Sequence, residues 1–393
     1  MSFIERIENW ITRRNFLKGV GVSLTAAPLI SGLSGCLSND SDSPSDNYHA
    51  ALVLLGTTGG VSWFQGTTRA SSSSVLHIDG VMYLIDLGQG SAWRLSQAFN
   101  SPDGKASSTF LKDLKAVFFT HIHQDHTADY PSLLLIGPGA GLATTYNPLP
   151  VFGPCNRGQL DIPNTDCGYT VANAVWTESG TPTPGLAEMT KYIWQAYAAT
   201  VNNMVLDNGY RPFPPLIDVH EIGTPGLADP DNTCPQTDKF FVYEDDNIYV
   251  QATLVNHTQV YPSFAFRFDL KKYGKSVVFS GDTSKNTNHN LQNLAAGADY
   301  LVHEVIDYDW IMEKFPEALD KDYPCNAALR SHMFKSHTLI TEVGDVAESC
   351  QAKNLVINHI VPGNVEKSKL YAAHQGFSGN LILGEDLMKI KIV

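Results

Sequence analysis

The chain has 393 residues, 43% of them apolar and 10% aromatic, and a formal net charge of −13. That composition excludes a fibrous or low-complexity chain, and the length suffices for a large buried core. The negative balance argues against a surface made for long polyanions, so a long nucleic acid is not an expected partner.

The first residues concern destination. Thr12-Arg13-Arg14-Asn15-Phe16-Leu17-Lys18 matches a twin-arginine export signal. The apolar stretch at 19–32 is too short and too weakly apolar to cross a membrane. Leu33-Ser34-Gly35-Cys36 has the form of a bacterial lipoprotein cleavage box, which predicts lipidation of Cys36 and a membrane anchor through it. A polar stretch follows and reads as a flexible tether. The expected organisation is a signal at 1–36, a tether at 37–49 and one globular domain at 50–393, in the periplasm or cell envelope. Losing 1–36, with Arg6, Arg13, Arg14 and Lys18 against Glu5 and Glu8, leaves the rest more negative.

The apolar run 116–119 reads as a buried strand. It leads into Thr120-His121-Ile122-His123-Gln124-Asp125-His126. Three imidazoles and a carboxylate so close together, at the end of a strand, suit zinc or a similar divalent ion. Three more strand-like segments end in ligand-grade residues: 249–257 at His257, 276–282 at Asp282 after Gly281, and 354–359 at His359.

The stretch between His126 and His257 exceeds what a core needs. The excess, about 155–238, is rich in Pro, Asn, Thr and Gly and holds a helical-looking piece at 186–204. It is expected to form a lid or pocket wall, with Trp176, Trp194 and Tyr197 offering apolar surface. A second excursion at 307–330 carries Trp310, Phe315 and Tyr323. His220 looks like part of a peripheral strand. His289, His332 and His374 lack a strand-end setting, and none of the four is expected to be a ligand. Cys155 and Cys167 are candidates for one disulfide and Cys234 and Cys325 for another, with Cys350 a buried thiol. No cysteine has zinc-ligand spacing.

His121-x-His123-x-Asp125-His126 resembles the His-x-His-x-Asp-His signature of the metallo-β-lactamase superfamily. His257, Asp282 and His359 resemble its downstream ligands, in order. The resemblance runs from about residue 50 to the C-terminus. It implies an α/β fold, the αββα metallo-β-lactamase sandwich: two mixed sheets face to face, helices outside, metals at one edge, and here an inserted lid-like region. It implies two Zn2+ or other divalent transition metals. His121, His123 and His257 would hold one, Asp125, His126 and His359 the other, and Asp282 would bridge them. A hydroxide shared by the metals, its pKa lowered toward neutrality, would be the nucleophile. Asp86 is expected to support a ligand rather than be one.

Within the superfamily, 264–269 with 276–283, Leu301-Val302-His303-Glu304-Val305 and Ser336-His337-Thr338 resemble the ribonuclease Z and arylsulfatase-like branch. There a Glu and a His flank the metals and assist proton transfer, so Asp125, Glu304 and His337 form the expected catalytic set. Ribonuclease Z enzymes carry a long arm for transfer RNA between the downstream His and the bridging Asp. Here His257 and Asp282 stand too close in sequence for one. The leading expectation is therefore a dinuclear zinc hydrolase of small-molecule sulfate or phosphate esters, arylsulfatase-like. A ribonuclease Z-like phosphodiesterase or endonuclease, or a lactonase, is the alternative, and a metal-dependent binding lipoprotein is the rival without catalysis. The expected partners are a small-molecule ester and the membrane through Cys36. The oligomeric state is open, a homodimer being compatible with the sequence.

Overall fold

The computed structural model describes residues 48–393 except 61, 101–108, 146, 163–166, 169, 171–182 and 224–226. The export signal, nearly all of the tether and Trp176 lie outside the described residues.

Fourteen strands follow in chain order. They are β1 (Ala50–Gly56), β2 (Ser73–Ile78), β3 (Val81–Ile85), β4 (Leu114–Phe118), β5 (Leu149–Pro154), β6 (Ile217–Ile222) and β7 (Phe240–Glu244). Then come β8 (Ile248–Leu254), β9 (Phe264–Leu270), β10 (Lys275–Phe279), β11 (Tyr300–Ile306), β12 (Asn354–Val361), β13 (Asn380–Leu383) and β14 (Lys389–Lys391). They form two seven-stranded sheets, ordered β14-β1-β2-β3-β4-β5-β6 and β13-β12-β11-β10-β9-β8-β7. Both are mixed. The first is antiparallel from β14 to β3 and parallel from β3 to β6. The second is antiparallel from β7 to β10 and parallel from β10 to β13.

Side-chain alternation explains the layering. In β4, Phe118 points into the core between the sheets while Val117 points to the outer face, as the two-residue period of a strand dictates. Phe118 meets Phe266 and Phe268 of the opposite sheet at ring distances of 5.7 and 5.0 Å. Leu52, Leu54 and Tyr83 join this core from one side, and Val250, Val302 and Val356 from the other. Helices cover the outer faces. Leu95, Tyr130 and Leu133 pack on Val117 and Leu84, and Leu291, Val343 and Val346 pack on Val278 and Leu355. Four layers of secondary structure result, with three apolar layers between them, and the turns at one edge of both sheets are left to carry polar groups.

The long excursion departs from expectation in three ways. Its helical piece is two helices, Leu186–Ala196 and Ala198–Leu206, separated at Tyr197. It also contributes β6, which extends the first sheet by pairing with β5. Part of the excursion is therefore scaffold: Leu186 is buried with Phe119 and Tyr130. Finally, the disulfide joins Cys167 to Cys325 across 158 positions, and Cys155, Cys234 and Cys350 are free. Both expected pairings are overturned for a positional reason. Cys155 is fixed at the end of β5, where its N–H donates to Ile222 O at 3.2 Å. Cys234 is buried beside Asn290, whose amide lies 3.6 Å from its sulfur. Cys350 is the buried thiol, its pKa pushed up by burial to about 12.

Candidate metal centre

β4 ends at Phe118, and the chain crosses the sheet edge in extended form before turning into the short helix Gln124–Thr127. That change of backbone divides the motif. His121 and His123 precede the turn, and Asp125 and His126 lie within it. The second sheet adds His257 after β8, Asp282 after β10 and His359 within β12.

These side chains converge in two groups. Ligand atoms of His121, His123, His257 and Asp282 all lie within 4.8 Å of one another, and so do those of Asp125, His126, Asp282 and His359. Asp282 belongs to both, and its oxygens divide the work. Oδ2 is 3.8 Å from His121 Nε2 and 3.9 Å from His257 Nε2. Oδ1 is 3.2 Å from His126 Nε2 and 3.1 Å from His359 Nε2. His121 Nε2, His126 Nε2, Asp125 Oδ1 and Asp282 Oδ1 are buried without a hydrogen-bond partner. Such atoms are costly unless something satisfies them. Imidazole nitrogens and carboxylate oxygens at this spacing fit two divalent transition metals.

Neighbouring groups fix the ligands. Asp86, at φ 54°, accepts from Thr120 N–H through Oδ1 and from His126 Nδ1 through Oδ2, both at 2.8 Å. His126 is thereby held with Nε2 turned to the centre, the support expected of Asp86. His257 Nδ1 donates to Ser336 O at 3.0 Å. Gly60 N–H donates to Asp125 Oδ2 at 2.6 Å. At Gly59 a Cβ would stand 2.0 Å from the His359 ring, so this turn must be glycine for the ring to fit.

His359 does not end its strand as the sequence suggests. β11 and β12 shift register between His303 and Val305, which pair with Ile357 and Ile360. Asn358 and His359 together face Glu304. This bulge, with His359 at φ 43°, re-aims both Glu304 and His359 toward the centre.

Burial pushes His121 and His257 well below the usual imidazole range, so both present neutral nitrogens. Burial works most strongly against charge on His126 and His359, but the surrounding carboxylates together outweigh it, Asp282 with Asp86 and Asp125 at His126 and Asp282 with Asp125 at His359, and draw both upward. Burial opposes ionisation of Asp282 too, yet His359 and His126 hold it well below the carboxylate range. The carboxylates thus demand positive charge at the shared edge, which divalent cations would meet while releasing those protons.

Beside the ligands, Glu304 Oε1 accepts from His337 Nδ1 at 3.0 Å and from Thr283 N–H at 3.0 Å. Burial lowers His337, but Glu304 more than compensates and the net shift is upward. His337 follows the C-terminal end of helix Pro324–Ser336. His332 is a neighbour the sequence reading passed over. It belongs to neither ligand group, and its Nδ1 lies 3.2 Å from Thr258 Oγ1 and 3.1 Å from Ser336 Oγ. Its spacing of one helical turn from Ser336 was the available signal. His220 pairs with Asp218 in β6, and His374 bonds Gly379 O, both exposed and neither grouped with the ligands.

Two cavities flank the ligands. One of about 250 Å³ is lined by His123, Tyr261, Arg157 and Pro184, so the start of the excursion and the segment just before helix Leu186–Ala196 border the ligands. Trp194 instead packs against Phe213 and lines a different cavity that contains no ligand. The other flanking cavity, about 460 Å³, reaches Asp125.

No protein-family model matches the chain. It is 27% identical over 345 residues to ribonuclease Z of Mycobacterium bovis (strain BCG / Pasteur 1173P2), covering 87% of this chain and 98% of that one. Ribonuclease Z of Mycobacterium marinum gives the same identity and coverage. Among solved structures, the human tRNase Z short form superposes with a TM-score of 0.53 at 20% identity, covering 87% and 99%. These relatives favour the ribonuclease Z alternative over the arylsulfatase-like reading. They also overturn the expectation of a small-molecule ester and no long nucleic acid, since relatives along nearly their whole length are named for RNA. The physical error was to read a whole-chain charge as a local one. Arg69, Arg94 and Arg157 line the two cavities beside the ligands.

Proposed function

We propose that this chain, a ribonuclease Z-like member of the metallo-β-lactamase superfamily, is a dinuclear metal-dependent phosphodiesterase that hydrolyses RNA. The observation that carries the reading is the division of Asp282, one oxygen toward His121 and His257, the other toward His126 and His359. Two divalent ions, zinc suiting the donors, would be held by these side chains and would supply Lewis acidity there. The chain's own residues do the rest. Asp86 and Ser336 O hold His126 and His257 in the required orientation. His337, its Nδ1 committed to Glu304, keeps Nε2 to carry a proton to the departing oxygen. Burial of the ligands excludes bulk water from all but the open edge.

The test is turnover by the zinc-loaded full chain. Cleavage of a transfer RNA precursor with a 3′ extension, and of bis(p-nitrophenyl) phosphate, is the expected result. Hydrolysis of p-nitrocatechol sulfate with neither diester touched overturns it.

Export is a second element of the proposal, supported by Arg13-Arg14 and by Leu33–Cys36 in the sequence. Labelling with a radioactive fatty acid should mark the wild-type chain and not Cys36→Ala. Replacing Arg13 and Arg14 by lysine should keep the chain inside the cell. Unchanged labelling and unchanged location in these variants refute export as a lipoprotein.

A further inference from the structure

The cavity of about 460 Å³ ends at Asp125 and Gln124. Trp63 and Trp93 also line it, and they are 87% and 71% exposed. Trp63 belongs to the loop after β1 and Trp93 to the first turn of helix Ser91–Phe99, so two separate elements bring them to one place. Neither indole adds to the hydrophobic core. Trp63 is nonetheless held, since its Nε1 donates to Gln89 Oε1 at 2.6 Å.

Arg69 stands in the same wall. Its guanidinium donates to Thr57 Oγ1 and to Gly384 O, which fixes its position; the carboxylates nearest in the network are Asp386, reached through Thr57, and Glu385, which pairs with Lys367. Arg94, by contrast, is paired with Asp386 at 3.2 Å. The cavity therefore offers flat apolar rings, a cation bonded to neutral oxygens and several polar groups, all continuous with a metal ligand. A flat ring system with hydrogen-bonding edges, tethered to an anion, matches that surface: a base on its phosphate. Stacking on exposed rings needs no particular base, because every base has a π-face. A paired base is covered by its neighbours and its partner, so the ring must come from a single strand.

We propose that this cavity is the subsite for an unpaired nucleotide flanking the scissile phosphate. Its base stacks on Trp63 and Trp93, and a phosphate of the same strand faces Arg69. The inference rests on the phosphodiesterase reading and adds a requirement for single-stranded RNA on the Asp125 side.

The experiment measures binding of a dye-labelled RNA hexamer to the zinc-loaded full chain, by stopped-flow anisotropy before turnover. Trp63→Ala and Trp93→Ala should each weaken binding by roughly 5- to 150-fold, the range of one base–aromatic stack. Trp63→Tyr and Trp93→Tyr should keep most of the affinity, which separates stacking from misfolding. Hexamers with one abasic site, moved along the strand, sharpen the test. At one position the wild type should lose a similar factor, and in Trp63→Ala that loss should shrink toward none, because base and ring are one interaction. Wild-type affinity in both alanine variants overturns the subsite, as do abasic and alanine losses that simply multiply. The phosphodiesterase reading fails separately, on absence of diester turnover, because anisotropy reports binding whether or not the strand is cut.

Discussion

The first sheet delivers His121, His123, Asp125 and His126 from one turn after β4, whereas the second delivers His257, Asp282 and His359 from the neighbourhoods of β8, β10 and β12. The first set is placed by local backbone: an extended stretch, then a helical turn. The second is placed by the alignment of separate strands, and so by the aromatic core that sets the sheets against each other. Metal binding is thus tied to correct packing of the second sheet more than of the first. Bound cations should also staple the two sheets, because each group draws on both.

Asp282→Ala tests the comparison most severely. It removes the carboxylate common to both groups, and activity should fall by about a thousand-fold or more. Elemental analysis should show metal dropping from about two ions per chain toward none. If one ion stays firmly bound, the three remaining residues of one group suffice and the shared carboxylate matters less than the geometry indicates.

His337→Ala separates holding from proton transfer within the second sheet's side of the site. Metal content should be unchanged, while turnover of esters with poor leaving groups falls by about 10²- to 10⁴-fold. The loss should shrink for nitrophenolate esters, which depart without a proton. Equal losses for both substrates would remove His337 from that role.

Asp86→Asn probes the first sheet alone. The His126–Asp86 contact supports one group only, so affinity for one ion of the pair should weaken by about 10- to 100-fold while the other ion is retained. Competition with a metal-sensitive dye reads this directly. A uniform loss of both ions would show that the two groups do not respond separately.

The last comparison concerns pH and stability rather than metal or turnover. Burial of His332, with the charges of His337 and His123 adding to it, lowers its pKa from 6.5 to about 4. Between those values the unfolded chain takes up a proton that the folded chain refuses. Stability therefore falls as pH drops through that window, by on the order of 3 kcal/mol once the pH is below the folded value, and is unaffected by this group above 6.5. Chemical denaturation at several pH values should show a shallower acid loss in His332→Asn than in the wild type. Parallel curves would assign the acid sensitivity elsewhere.

The seven residues that converge in two groups were legible as candidates because each is a polar residue ending or interrupting an apolar strand, a pattern packing alone does not generate. The two-sheet architecture was legible only through the resemblance to the metallo-β-lactamase superfamily; alternation and β-branched runs gave individual strands, not their arrangement. What escaped the sequence depends on distance through space. The bulge that turns His359 and Glu304 inward arises from pairing between β11 and β12, which no local pattern encodes. β6 was legible as a peripheral strand around His220, but its pairing with β5, which makes part of the insertion scaffold, was not. His332 was set aside because its relevance comes from a helix packed beside Thr258, far away in sequence. Net charge misled for a related reason, since it averages over a surface on which the arginines beside the ligands are local.

The Cys167–Cys325 link closes the intervening chain into a covalent ring. His257, Asp282 and Glu304 lie on that ring, whereas His121 to His126, His337 and His359 lie off it. Bonds of this kind persist in oxidising compartments and not in the cytosol. A twin-arginine route carries its cargo already folded, so on the export reading the ring closes only after delivery. Each molecule would then bear a chemical record of where it has been. Thiols at Cys167 and Cys325 that accept an alkylating mass tag mark the chain still inside the cell, and a refractory pair marks the chain that has left it.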